Sequence, residues 1–311
     1  MRILVTGAGA TGGFFGARLA QAGRDVTFLV RPGRAEVLRR RGLRIIGAGG
    51  AGGTETISPR LITAAEIEAP YDVVLLAVKA TALGGAIADL GPAVGPGTAV
   101  LPFLNGLAHL DLLNERFGEK SVLGGVVRVL TDLNADGDIV QFAPMAEMVL
   151  GEQDGSLSSR ARDVGALLGQ AGFDVDVSSA ILAAMWQKWV FIAPAGALTC
   201  LMRGTVGDIA AVPGGSALAE GLVAEAAATA AAAGYPVAAG DVAGIAALLT
   251  RPGSSLVSSM YRDVTAGRPT EAEHVLADLA SRARALAVGT PLLDLAILSL
   301  RVYARRLGAG G

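Results

Sequence analysis

Through the first 177 residues the apolar positions come in short, dense runs separated by glycine, proline and polar clusters; beyond that they spread into long alanine-rich stretches. Runs of the first kind read as strands covered on both faces, and stretches of the second kind as helices. Residues 2–6 (RILVT) predict a strand, the pattern to about Gln21 a helix closed by Gly23, and Val26–Val30 a second strand. Segment 33–70 reads as loop-rich, with GAGGAGG at 47–53 as a flexible tip. Tyr71–Val78 is a near-continuous apolar run ending in Lys79, as expected of a central parallel strand. Ala80–Leu90 predicts a helix, Pro92 and residues 95–97 a turn, and Thr98–Leu104 a strand that ends in Asn105-Gly106. Ala108–Arg116 reads as a helix and Ser121–Val126 as a strand. Asp138–Phe142 and Glu147–Gly151 read as two more strands, a candidate hairpin. Arg160–Ala171 predicts a helix and Phe173–Val177 a last strand.

Beyond Val177 strand signals vanish. Helical patterns cover about 179–201, 214–233, 238–250, 270–287 and 290–307, broken by Gly and Pro clusters such as Pro213-Gly214-Gly215 and Gly234–Pro236. The pattern therefore predicts an α/β domain with a doubly wound sheet over residues 1–178, followed by an all-helical domain over 179–311.

The opening strand, helix and strand enclose Gly7, Gly9 and Gly12, spaced G-x-G-x-x-G. In that context the motif reads as a Rossmann-type dinucleotide site made by Gly7, Ala8, Gly9, Ala10, Thr11 and Gly12. Gly7 permits the tight turn, Gly9 lets a pyrophosphate approach the backbone, and Gly12 lets the helix pack close to the sheet. The helix start supplies free N–H groups and a favourable dipole for the anion. The bland alternative is ordinary glycines in a chain that has 43 of them. The second strand ends in Arg31, with Arg34 three residues on and no acid before Glu36. Arginine suits a 2′-phosphate, which points to NADP; the alternative is a solvated basic loop.

Composition narrows the choice. The chain has 311 residues and a net charge of −2, and no basic patch with interleaved aromatics suggests nucleic acid. Its single cysteine, Cys200, excludes an intramolecular disulfide and reads as a core residue. Two histidines, His109 and His274, lack metal-ligand spacing, so no metal site is expected. The N-terminal run is needed as a strand and does not read as a signal peptide. Mean hydropathy is high, at +0.51. The best candidate membrane span, Val177–Met202, is interrupted by Gln187, Lys188 and Pro194. It reads as the buried helix of a soluble cytoplasmic protein, since a central lysine is costly in a bilayer.

With histidine scarce, proton chemistry falls to Lys, Glu or Asp. Ligands of open α/β sheets bind beyond the carboxyl ends of the strands. Arg31, Lys79 and Asn105 stand at such ends; a solvated strand end accounts equally well for Lys79, and a turn for Asn105-Gly106. Lys188 is the only charged residue between Asp176 and Arg203, flanked by Trp186, Trp189 and Phe191. It either snorkels or faces a polar cavity as a general acid. Thr270 and Glu273 fit a capping box, and Glu271 falls in a first helical turn where its charge is favourable in any case. Ser258 and Ser259 offer hydroxyls to a carboxylate, or interrupt a helix.

Together these residues resemble the ketopantoate reductase (2-dehydropantoate 2-reductase) family over nearly the whole chain. The matching features are GAGATG, Arg31, Val78-Lys79, Asn105-Gly106, the W-x-K of Trp186–Lys188 and Thr270-Glu271. The resemblance implies NADPH-dependent reduction of a 2-oxo acid, ketopantoate in the first place, on the way to pantothenate. It implies Lys188 as general acid, Glu271 holding the substrate hydroxyl, Asn105 near the reacting carbon, Ser259 near the substrate carboxylate, Arg31 on the 2′-phosphate and Lys79 at the cofactor or substrate edge. Ile192, Gly196, Val206 and Leu256 depart from the family's usual asparagines. That opens two alternatives: a reductase of a more apolar 2-oxo acid or ketone, and a protein that senses NADPH without turnover. Pairing into a homodimer is left open.

Overall fold

The computed structural model describes residues 1–47 and 53–309. Most of the glycine-rich stretch read as a flexible tip lies outside the described residues. Two compact units emerge: Met1–Leu104 with His109–Ile181, and Asn105–Ala108 with Leu182–Gly311. The linear pattern places Asn105–Ala108 with the strands on either side of it; the structure groups it with the helical unit.

The first unit opens with β1 (Arg2–Thr6), α1 (Ala10–Gln21) and β2 (Asp25–Leu29). Segment 33–70 is more ordered than its polarity suggests. It holds α2 (Pro32–Arg41), β3 (Leu43–Ile46), β4 (Thr54–Ile57) and β5 (Arg60–Ile62). α2 escapes a periodicity reading because it buries only Ala35 and Leu38. Its signals are at the ends: Pro32 at the first position and Gly42 at φ +73° after the last. The chain continues through β6 (Val73–Leu76), α3 (Leu83–Leu90), β7 (Ala99–Pro102), α4 (Ala108–Phe117), β8 (Leu123–Leu133), β9 (Ile139–Glu152), α5 (Ser159–Leu168) and β10 (Asp174–Val177). The two runs read as a hairpin at 138–151 are one strand, β9, whose antiparallel partner is β8. Pro144 falls where the ladder is irregular, between the Val129–Ala146 and Thr131–Gln141 pairs. There its missing N–H does no harm.

The strands form two sheets. The first is wholly parallel, in the order β5-β2-β1-β6-β7, the Rossmann arrangement. The second joins β10, β9, β3 and β4, with β8 on β9. Val73–Leu76 and Ala99–Pro102 are fully buried, as parallel strands covered on both faces must be. Thr6, Leu29, Leu76 and Pro102 lie at one level of register. The segments beginning at Gly7, Val30, Ala77 and Phe103 therefore all leave the sheet from the same edge. Phe15 fills the core, edge-to-face with Phe14, Phe103 and Phe173.

The second unit consists of α6 (Ile181–Met202), α7 (Val206–Ala210), α8 (Gly215–Ala232), α9 (Ala239–Leu249), α10 (Ser259–Thr265), a π-helical turn at Glu273–Ala277 running into α11 (Asp278–Ala285), and α12 (Pro291–Ala309). α7 and α10 are too short for a periodic stripe. Thr205 and Asp208 form a capping box at α7, and Ser258 caps α10. α6 is long and apolar enough to cross a membrane, yet 61% of its most apolar stretch is buried inside the protein.

Candidate functional site

The glycine turn is shaped by close contacts. A Cβ at Gly7 would come within 2.8 Å of the Ala77 carbonyl, and one at Gly12 within 2.2 Å of the Gly7 carbonyl. Gly7 also holds φ +98°, which favours glycine. Gly9 is different: a Cβ there would meet nothing within 4 Å. The space beside Gly9 is open backbone at the N-cap of α1, where no side chain caps the helix and no acid stands in its first turn. Uncapped N–H donors and a helix dipole without a competing carboxylate fit an anionic pyrophosphate. Ala8 is buried; Ala10 and Thr11 begin the helix, half-buried.

Around this turn stand the other strand-end residues. Arg31 is exposed and is the N-cap of α2. Arg34 is half-buried and bonded to backbone carbonyls, so it is not part of a solvated basic loop. Lys79 is exposed just beyond the Ala77–Val78 pair that packs on Gly7, and caps a short 3₁₀ turn at Ala80–Ala82.

The remaining candidates belong to the helical unit. Trp189, fully buried on α6, donates its Nε1–H to the Val275 carbonyl in the π-helical turn at 2.7 Å. Gly106 lies against both elements: a Cβ on it would sit 2.8 Å from the His274 carbonyl and 3.6 Å from the Trp189 ring. The structure thus gathers three segments, those carrying Asn105, Lys188 next to Trp189, and Glu271 before the π-helical turn. All three residues are half-buried. The positive φ of Gly106, +75°, and the contact with His274 show why a glycine follows Asn105. Trp186 supports the arrangement from behind, 5.0 Å from Trp189 and stacked on Tyr235 at 6.0 Å.

Glu273 departs from the sequence reading. It does not cap the helix; both its oxygens accept from Arg301 of α12, at 2.7 and 2.8 Å, and this holds its carboxyl below the usual range. Its neighbour Glu271 instead supplies the carbonyl that accepts from His274 and Val275 N–H. The π-helical turn itself has no signature in the sequence.

Ser259 is exposed at the first position of α10. That helix is pinned to α6 by Ser258, whose Oγ lies 2.8 Å from Thr199 Oγ1 and accepts from Tyr261 N–H. Thr199 is about 16 Å along the helix axis from Lys188. Between them, a Cβ at Gly196 would face Met260 Cε at 3.5 Å and Leu276 at 3.9 Å, an apolar surround. Ile192 and Leu256 are half-buried, and Val206 is fully buried. Cys200 is buried, and burial pushes its thiol up to about 12, leaving it unreactive.

Residues 3–155 match the model of ketopantoate reductase PanE/ApbA, and residues 180–304 match its C-terminal model. The chain is 33% identical to the uncharacterized oxidoreductase YkpB of Bacillus subtilis, over 97% of this chain and 99% of the relative. It is 28% identical to the 2-dehydropantoate 2-reductase of Mesorhizobium japonicum, over 96% of each. The crystal structure of 2-dehydropantoate 2-reductase from Geobacter metallireducens superposes with a TM-score of 0.88 at 27% identity, covering 97% of this chain and 99% of that one. Family models over both units, a full-length relative and a matching fold together make this chain an oxidoreductase of the ketopantoate reductase family.

Proposed function

We propose that the protein reduces a 2-oxo acid with NADPH, ketopantoate being the first candidate, converted to pantoate for pantothenate synthesis. The observation that carries the reading is the meeting of the Asn105, Lys188 and Glu271 segments around the Trp189–Val275 hydrogen bond. NADPH, when bound, supplies the hydride. Lys188 stabilises the negative charge that develops on the ketone oxygen and gives it a proton. Glu271 accepts from the substrate hydroxyl and helps orient Lys188. Asn105 sits near the reacting carbon and Ser259 near the carboxylate. The glycine turn, with Lys79 at its edge, holds the pyrophosphate, and exposed Arg31 meets the 2′-phosphate.

The apolar surround of Gly196 favours a second reading, a 2-oxo acid with a more apolar side chain. A pocket without hydrogen-bonding groups gains little from a substrate hydroxyl. NADPH oxidation, followed at the nicotinamide absorbance with ketopantoate and a panel of 2-oxo acids, separates the two. Efficient turnover of ketopantoate supports the first reading. Turnover confined to an apolar 2-oxo acid moves the substrate and keeps the chemistry. Tight NADPH binding with no turnover of any of them leaves a substrate outside the panel or a cofactor sensor.

A further inference from the structure

Two arginines stand one turn apart at the start of α2, Arg31 at its N-cap and Arg34 within it, and they are placed differently. Arg31 is exposed, whereas Arg34 is half-buried. Arg34 Nη2 donates to the Ala8 carbonyl at 3.2 Å and to the Gly137 carbonyl at 3.1 Å. Gly137 lies in the turn between β8 and β9 at φ +78°, and a Cβ on it would come within 2.8 Å of Arg34 Nη1. The positive φ favours a glycine there, and its bare Cα leaves the guanidinium room at the turn. The turn is itself firmly tied. Asn134 Oδ1 accepts from the N–H groups of Asp136 and Asp138, and Asp138 pairs with Arg41 at 3.4 Å and Arg44 at 3.5 Å. The Arg34 guanidinium is thus anchored on a braced hairpin and offers a donor to the middle of the glycine turn.

We propose that Arg34 is a positioning residue for the cofactor turn, and that recognition of the 2′-phosphate falls to Arg31 alone. The reason is peptide geometry. In a planar trans peptide the C=O and the following N–H point in opposite directions. Holding the Ala8 carbonyl therefore fixes the direction of the Gly9 N–H, at the one glycine of the turn that faces open space. Gly9 serves the pyrophosphate, which NADPH and NADH share; the 2′-phosphate belongs to NADPH alone. The two arginines accordingly have different signatures, although they lie three residues apart. This inference rests on the dinucleotide reading given above.

The test titrates the full-length protein with NADPH and with NADH, following nicotinamide fluorescence, alongside the melting temperature of the cofactor-free protein. Arg34→Ala should weaken both cofactors by about tenfold and leave their ratio unchanged, the loss of one charge-assisted contact. Arg31→Ala should weaken NADPH selectively. Arg34→Lys keeps a charge and one donor, and should recover part of the loss for both cofactors in equal proportion. It carries the same test if the alanine variant does not fold: an equal, smaller loss supports the proposal. Unchanged affinity for both cofactors in the Arg34 variants overturns it, and so does a loss confined to NADPH. Wild-type protein that binds neither cofactor overturns the dinucleotide reading itself, a result distinct from either.

Discussion

A lysine among tryptophans invites a direct test. Replacing Lys188 with alanine should lower kcat by about 10²- to 10⁴-fold while leaving the NADPH dissociation constant within a few-fold of wild type. A near-normal kcat would remove Lys188 from the proton-transfer role. Gly106 makes a different demand, on backbone rather than on chemistry. Gly106→Ala places a methyl against the His274 carbonyl and forces a side chain into a positive φ. A loss of about 2 kcal/mol is expected, read as a fall in the urea midpoint; an unchanged midpoint would mean the chain relaxes there at no cost. At this scale the sequence was informative about residue type and less so about placement. Lys188 stood out because no other charge lies near it in the chain. Arg34 stood out only as a basic residue three positions after Arg31, because nothing local announces a bond to a turn 103 residues away. Glu273 looked like a cap because its spacing from Thr270 fits, yet Arg301 on a distant helix takes both its oxygens.

Among the elements, legibility followed burial. β1, α1, β6 and β7 are covered on their apolar faces, so their hydrophobic pattern is dense and easily read. α2, β4 and β5 bury little, and β3, which buries Leu43 and Ile45, is only four residues long, so their patterns are hard to pick out. The π-helical turn is set by tertiary contacts such as the Trp189 hydrogen bond, which have no local code. A helix end can likewise be completed from afar. Glu225 on α8 accepts from the N–H groups of Leu292 and Leu293 at 2.8 and 2.9 Å, capping α12 with both carboxylate oxygens. Glu225→Ala should cost about 1–2 kcal/mol, because two donors at a helix N-terminus lose a charged acceptor. Thermal unfolding checks this: a Tm equal to wild type would show that solvent replaces the cap without loss.

For the molecule as a whole, several carboxylates are held in the ionised form by their partners. Hydrogen bonds from Arg18 and Gln21 lower Glu55, those from Arg301 lower Glu273, and those from Thr205 lower Asp208. Each folded value lies below the unfolded one. Their contribution to stability is therefore complete above the ordinary carboxylate range of about 4 and is lost as pH falls through the lowered folded values. Tm should accordingly be level from neutral pH to about 5 and decline below it. A Tm that rises on acidification from pH 5 to pH 3 would contradict the sign. Because these groups are largely exposed, raising the salt concentration should blunt the decline.

The four residues Asn105–Ala108 belong with the helices, though strands of the other unit flank them in the chain. This bears on how such a protein can be taken apart. A gene cut at residue 181 would encode a C-terminal fragment whose slot between Trp189 and His274 has no occupant. The missing wall would travel with the other fragment, as a loop. A chimera that exchanges the C-terminal half should therefore bring its own version of the loop after β7.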